Sequence, residues 1–230
     1  MDDLLDNACW SSLAGRHAHL GERRGRAARY DPDVSVFAAV EGPVDEAGWR
    51  DLASLVGPGG VAVLFRDSVP DPPAGWSVDA RGGGLQMVLD GDLAPDESSR
   101  AIEIRALTEH DAEQMVGLVA IAQPGPFRPA THRMGGYHGV VDDGRLVAMA
   151  GERLTFDGYT EISAVCTHPD ERGRGLASAV TRSVASSIVG RGERPFLHVA
   201  HGNAAAVGVY ERLGFVGRRD IEFVRVVAPG

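Results

Sequence analysis

The chain has 230 residues, a mass of 24.3 kDa and 43% hydrophobic side chains, enough for one large domain or two small ones. All 23 basic residues are arginine, so a Schiff-base lysine, a phosphate-loop lysine and lysine self-modification are excluded. Against them stand 32 acidic residues, and the resulting net charge of -9 argues against general nucleic-acid binding and against an anionic membrane.

The average hides an asymmetry. Residues 1–160 hold 25 acids and 14 arginines, net -11, whereas residues 161–230 hold 7 acids and 9 arginines, net +2, which leaves room there for a small anionic ligand. Cys9 and Cys166 are too few for a disulfide framework or a cysteine zinc site, so a reducing cytosol is the expected setting, with no metal. The first twenty residues carry Asp2, Asp3 and Asp6 in place of a basic leader, and no run of about 18 apolar residues occurs.

Taken in chain order, the pattern predicts a short opening helix, a strand over 34–40, a helix over 45–56, and strands over 61–65 and 85–89. Glycine and proline cluster at Gly57–Gly60 and again between Pro70 and Gly84, and the polar run from Asp90 to Arg100 reads as a linker between a 1–97 part and a 101–230 part. Beyond it, Ile102–Ala106 alternates like a strand, and Thr108 with Asp111 offers cap chemistry for a helix carrying Met115, Leu118, Val119 and Ala122. Asp143-Gly144 and Asp157-Gly158 are hairpin turns between apolar strands. A helix follows over 175–191, a strand over 196–200, a helix over 203–213 ended by Gly214, and a pair of strands within 215–227. The expected class is a mixed α/β sheet.

Chemistry concentrates in Arg172-Gly173-Arg174-Gly175-Leu176-Ala177, between a strand and a helix. Two glycines let backbone amides turn toward a ligand, the helix start adds partial positive charge, and Arg172 and Arg174 add charge at the rim: together an anion cradle. A phosphate loop is ruled out by the missing lysine. A dinucleotide fingerprint is disfavoured because Ser178 stands at its last glycine position and Glu193 falls before, not after, the following strand.

The pattern that fits is R-x-x-G-x-A. With Glu161 to Pro169 before it and Asn203, Ala206, Tyr210, Leu213, Gly214 and Phe215 after it, the segment 101–227 resembles the GNAT superfamily of acyl-CoA-dependent N-acetyltransferases, most closely the catalytic half of glycine N-acyltransferases. The resemblance implies a GNAT-type fold for the C-terminal half, preceded by a divergent α/β part. It also implies acetyl-CoA as co-substrate, held by the backbone of Val165, Cys166 and Thr167, by the loop and helix start from Arg172 through Gly173, Arg174, Gly175, Leu176 and Ala177 to Ser178, and by Asn203 and Tyr210. Glu161 matches the position of a catalytic glutamate that takes the proton of the attacking amine, and Tyr210 that of the acid which protonates the leaving thiolate. Each has a plainer reading: Glu161 as a strand residue paired across the sheet, Tyr210 as a core aromatic, Asn203 as a helix cap, and His198 and His201 as structural or solvated histidines. Cys166 has no base beside it, which favours direct transfer over a covalent intermediate.

On the acceptor side the resemblance points to Gln123–Pro129 and onward to Tyr137, where Arg128, His132 and Arg133 could receive a carboxylate, while the Asp-rich N-terminal half could equally favour a cationic amine. The expected partners are acetyl-CoA and an amine-bearing acceptor in the cytoplasm, without nucleic acid or membrane, and a homodimer is admissible. Two other classes stay open at this point, a non-catalytic acyl-CoA sensor and a dinucleotide-dependent oxidoreductase.

Overall fold

Residues 4–95 and 102–230 are described by the computed structural model, so residues 96–101, where the second part of the expected linker falls, lie outside the described residues. The first part of the chain forms α1 (Ala8–Leu13), β1 (Gly21–Arg24), β2 (Ala27–Tyr30), β3 (Ala38–Val40), α2 (Glu46–Val56), β4 (Val61–Arg66) and β5 (Ser77–Leu89). The second part forms β6 (Arg105–Leu107), α3 (Ala112–Ala122), β7 (Tyr137–Asp142), β8 (Arg145–Phe156), β9 (Tyr159–Thr167), α4 (Leu176–Gly190), β10 (Arg194–Ala200), α5 (Ala204–Arg212) and β11 (Phe215–Val227).

Local chemistry accounts for most boundaries. Asp45 caps α2 by accepting from the Gly48 amide at 2.9 Å, and Gly57 ends the helix with a positive φ. Before α3, Asp111 accepts from the Thr108 amide at 2.8 Å and pairs with Arg105 through two hydrogen bonds of 3.0 and 2.6 Å. The turn from β7 to β8 runs through Asp143 and Gly144, both at positive φ (49° and 78°), the geometry that suits a tight hairpin. Three expected strands differ in their bounds, and the one expected over 102–106 is confined to β6, Arg105–Leu107. Val34 and Ser35 donate to the Asp31 carbonyl in a turn, which shortens the first strand to β3. β5 begins eight residues early because Gly83 and Gly84 carry no apolar pattern; a Cβ there would stand 2.6 Å from the His201 ring and 2.6 Å from the Val199 carbonyl oxygen, so the close approach of β10 requires glycine.

β1, β2 and β3 make a small antiparallel sheet. The other eight strands form one sheet in the order β4-β11-β5-β10-β9-β8-β7-β6, antiparallel except for the β9–β10 pair. Instead of the expected pair of final strands there is a single strand, β11, whose irregularity between Gly217 and Arg219 is a bulge. It inserts between β4 and β5, so the sheet runs without a break across the expected 97/101 boundary.

Alternation sorts the sheet's two faces. Met87, Leu89 and Leu197 pack with Val180, Val184 and Ile188 of α4, whereas Val88 and Phe196 pack with Leu5, Cys9 and Leu13 around α1 on the other side. Both faces are covered, which is why β8 is buried from Leu146 to Phe156.

Candidate active site

β9 and β10 pair in parallel only as far as Ile162 and Leu197. Past that point they part, aided by a register shift between β8 and β9 opposite Ser163–Cys166 and by Ala164, a non-glycine residue at φ 53°. Ser163 to Thr167 on one strand and His198 to Ala200 on the other become the walls of a cavity of about 840 Å³. The N-terminus of α4 closes one end of this wedge. Gly173 and Gly175 there have φ near 77° and 78°, and nothing stands within 4 Å of the place a Cβ would occupy. Among the described residues no side chain caps the first turn of α4, so its amides are available to an anion.

Of the residues expected to hold the cofactor, Val165, Cys166, Thr167, Arg172, Gly173, Gly175, Leu176, Ala177, Ser178, Asn203 and Tyr210 all line this cavity. Arg174 does not; its guanidinium turns to Glu171 and Asp142. Asn203 caps α5 by accepting from the Ala206 amide at 3.2 Å. Arg212 also lines the cavity, although no motif singles it out.

Tyr210 projects from α5, 8% exposed, and its hydroxyl makes no hydrogen bond to another described residue. Burial pushes its pKa up to about 12, so the phenol keeps its proton near neutral pH. Cys166 is likewise held as a thiol, pushed up to about 12 by burial.

Glu161 sits differently from its expected place. It is fully buried and is not among the residues that line the cavity. Its Oε2 accepts from Arg153 Nε at 2.8 Å, and its Oε1 accepts from Arg153 Nη2 at 2.5 Å and lies 2.6 Å from His198 Nδ1. Burial would raise its pKa, but the Arg153 charge and these hydrogen bonds hold it at about 2. His198 is engaged on its other nitrogen as well, 3.0 Å from the Gln86 amide nitrogen, which also donates to the Leu5 carbonyl. The Gln86 oxygen accepts from Arg218, which pairs with Asp6. This polar chain ties the floor of the cavity to the first helical turn of the protein.

The other end of the cavity is bounded by Gln123 to Phe127, as expected for the acceptor wall, and also by Phe37, Val63, Phe223 and Arg153. Arg128, His132 and Arg133 lie outside it; Arg128 Nε donates to the Pro32 carbonyl and His132 lies against that of Pro129. Arg153 escaped the sequence reading because one charge inside a strand pattern looks solvated. The hairpin at Asp157-Gly158 was nevertheless a usable signal, since its arms bring Arg153 across from Glu161.

Parted strands over a glycine-turned helix start, with a buried tyrosine facing the gap, define an acyl-CoA-type acyltransferase cleft. Comparison with known proteins agrees. The family model for FR47-like proteins matches residues 137–224. A solved structure from Novosphingobium aromaticivorans, assigned to the GNAT family of acetyltransferases, is 39% identical with a TM-score of 0.88, covering 100% of both chains. The GCN5-related N-acetyltransferase of Kribbella flavida, 22% identical over 97% of this chain and 96% of its own, shares the fold with a TM-score of 0.65. Mycothiol acetyltransferase from Corynebacterium jeikeium is 32% identical over 142 residues, 61% of this chain; the match spans 38% of that protein's length. The chain belongs to the GNAT family. Among the described residues, no helix is long and apolar enough to cross a membrane and no cluster of three or more His, Cys, Asp or Glu could hold a metal ion.

Proposed function

We propose that the protein transfers an acetyl group from acetyl-CoA to the amine of a small molecule or peptide, by direct attack within a ternary complex. The parting of β9 and β10 beyond Ile162 and Leu197 carries this reading, because it leaves the β10-facing edge of β9 from Ser163 to Thr167 unpaired for the pantetheine arm and for the thioester oxygen. The pyrophosphate would rest on the amides from Gly173 to Ser178, with Arg172 and Arg212 at hand. An alkylamine with a pKa of about 10 must lose a proton before it attacks. Glu161 serves this step indirectly, by fixing Arg153 and His198, and the proton leaves through water in the open cavity. Tyr210, still protonated, hands its proton to the departing thiolate.

The placement near glycine N-acyltransferases belongs to this proposal and is supported by the order of a divergent first part and a motif-bearing second part. A cytoplasmic setting agrees with two free, buried cysteines, and the acidic surface charge agrees with small-molecule partners. A homodimer remains compatible with it.

Free thiol released from acetyl-CoA over a panel of amines, amino acids and peptides tests the proposal. Tight acetyl-CoA binding without release on any acceptor would replace it with the sensor reading. In the same assay Tyr210→Phe should lower kcat by about 100-fold while leaving the acetyl-CoA KM within about twofold. Full retention of kcat would remove Tyr210 from the mechanism.

A further inference from the structure

Among the described residues, the acceptor end of the cavity holds no uncompensated charge and no free base. Phe37, Val63, Phe127 and Phe223 supply apolar walls, and Phe65 backs two of them, its ring centre 4.7 Å from that of Phe37 and 5.6 Å from that of Phe223. The cation at this end, Arg153, is answered by the buried Glu161 carboxylate through two hydrogen bonds, so the pair presents no net charge. Glu161 lies behind the lining, and its oxygens are taken up by Arg153 and His198. His198 is no freer. The Gln86 oxygen accepts from Arg218, so the Gln86 amide nitrogen faces His198 and donates to its Nε2; the ring proton then sits on Nδ1, directed at Glu161, and no lone pair is left for a ligand. Glu171, the one carboxylate that lines the cavity among the described residues, belongs to the loop before α4 and is paired with Arg145 and Arg174.

Such walls select against charge of either sign. An alkylammonium would leave its hydration with no counter-charge to replace it, and only about one molecule in a thousand of an amine with a pKa near 10 is neutral at pH 7. A carboxylate finds no uncompensated cation there. An arylamine, whose lone pair is delocalised into its ring, is neutral throughout the physiological range and offers a flat face or edge to the phenylalanines.

We propose that the acceptor is an arylamine, an amine of low basicity carried on an aromatic ring. This rests on the acetyl-transfer reading above and narrows its amine. The nitrogen lone pair attacks the thioester carbon, forming the C–N bond as the carbonyl pair moves onto oxygen. That pair returns as the C–S bond breaks, and the thiolate takes the Tyr210 proton. The N–H proton of the adduct, acidified by its positive nitrogen, passes to water in the cavity, and water restores the proton of Tyr210. The products are an N-aryl acetamide and free CoA, and no side-chain base is needed before attack.

Acceptors that share a ring but differ in basicity test the idea: aniline against benzylamine, with glycine as a third, and thiol release from acetyl-CoA as the readout. Wild-type protein should favour aniline over benzylamine by about tenfold or more in kcat/KM at pH 7, and its kcat/KM for aniline should stay within about twofold from pH 6.5 to 8.5. Benzylamine or glycine used as well as aniline would overturn the proposal yet keep acetyl transfer. So would a rate on aniline that climbs about tenfold per pH unit, since that reveals a base. Val63→Glu places a free carboxylate at this end, and there the ratio should move about tenfold toward benzylamine. An unchanged ratio in the folded variant would also overturn the proposal; if the variant does not fold, the wild-type ratio decides. If no amine releases thiol, calorimetric titration of the CoA-loaded protein with aniline and benzylamine settles it: tighter binding of aniline upholds the arylamine site, and equal or weaker binding rejects it.

Discussion

A chain starting at residue 101 should not fold on its own. β10 and β11 both lean on β5: Phe196 to Ala200 pair with Val88 to Gly84, and β11 pairs with β5 along nearly its whole length, from Phe215↔Leu89 to Val227↔Ser77. Removing residues 1–97 would expose two long strand edges and strip Met87 and Leu89 from the core under α4. Each of those two side chains alone is worth about 2–5 kcal/mol on truncation, a large share of an ordinary domain's stability. Size-exclusion chromatography and circular dichroism of the 101–230 fragment should show aggregates without a cooperative melt, and co-expression with residues 1–97 should restore soluble protein. A monomeric fragment with a sharp unfolding transition would refute this.

Glu161→Leu should destabilise the protein by about 3–5 kcal/mol, because it leaves the buried Arg153 guanidinium without its counter-charge. Replacing both partners, Arg153→Met with Glu161→Leu, should lose much less than the two single changes added together. The same pair sets an acid limit. Folding holds the Glu161 carboxyl at about 2 against an ordinary 4.5, so the folded chain binds fewer protons than the unfolded one in between. Its contribution is fully present above pH 4.5 and is lost as pH falls from there toward 2. Urea melts between pH 6 and 2.5 should show that loss in the wild-type chain and a smaller one in the double variant; parallel curves would mean that the pair does not govern acid stability.

How much of this was legible beforehand varies with the range of the interaction. The loop from Arg172 to Ser178, the cap at Asn203, the Asp143-Gly144 turn and the placement of Tyr210 depend on neighbours in sequence, and the structure puts each where its local chemistry indicates. β5 was readable only from Leu85 onward, since three glycines hide its alternation, and nothing in residues 77–89 names β11 as a partner. The residue type at position 161 was visible, but its protonation state depends on Arg153 and His198, which reach it through a hairpin and a parallel pairing. Arg128, His132 and Arg133 advertised themselves as anion receptors by being cationic near the expected wall, whereas the buried Arg153 looked like an ordinary strand charge.

The insertion of β11 between β4 and β5 also orders events in time. Among the described residues β4 pairs along its length with β11, with one isolated bridge from Val63 to Phe37, and β5 pairs with β10 and β11, so strands made early wait for later ones. During synthesis the run Leu85–Leu89 waits for β10 and the run Val61–Phe65 for residues 215–227, a contact pattern of long sequence separation that folds slowly and is open to aggregation meanwhile. The acceptor wall, which draws on Phe37, Val63 and Phe223 together, is complete only when that final strand docks, so a chain interrupted near its end has no finished pocket in which to act.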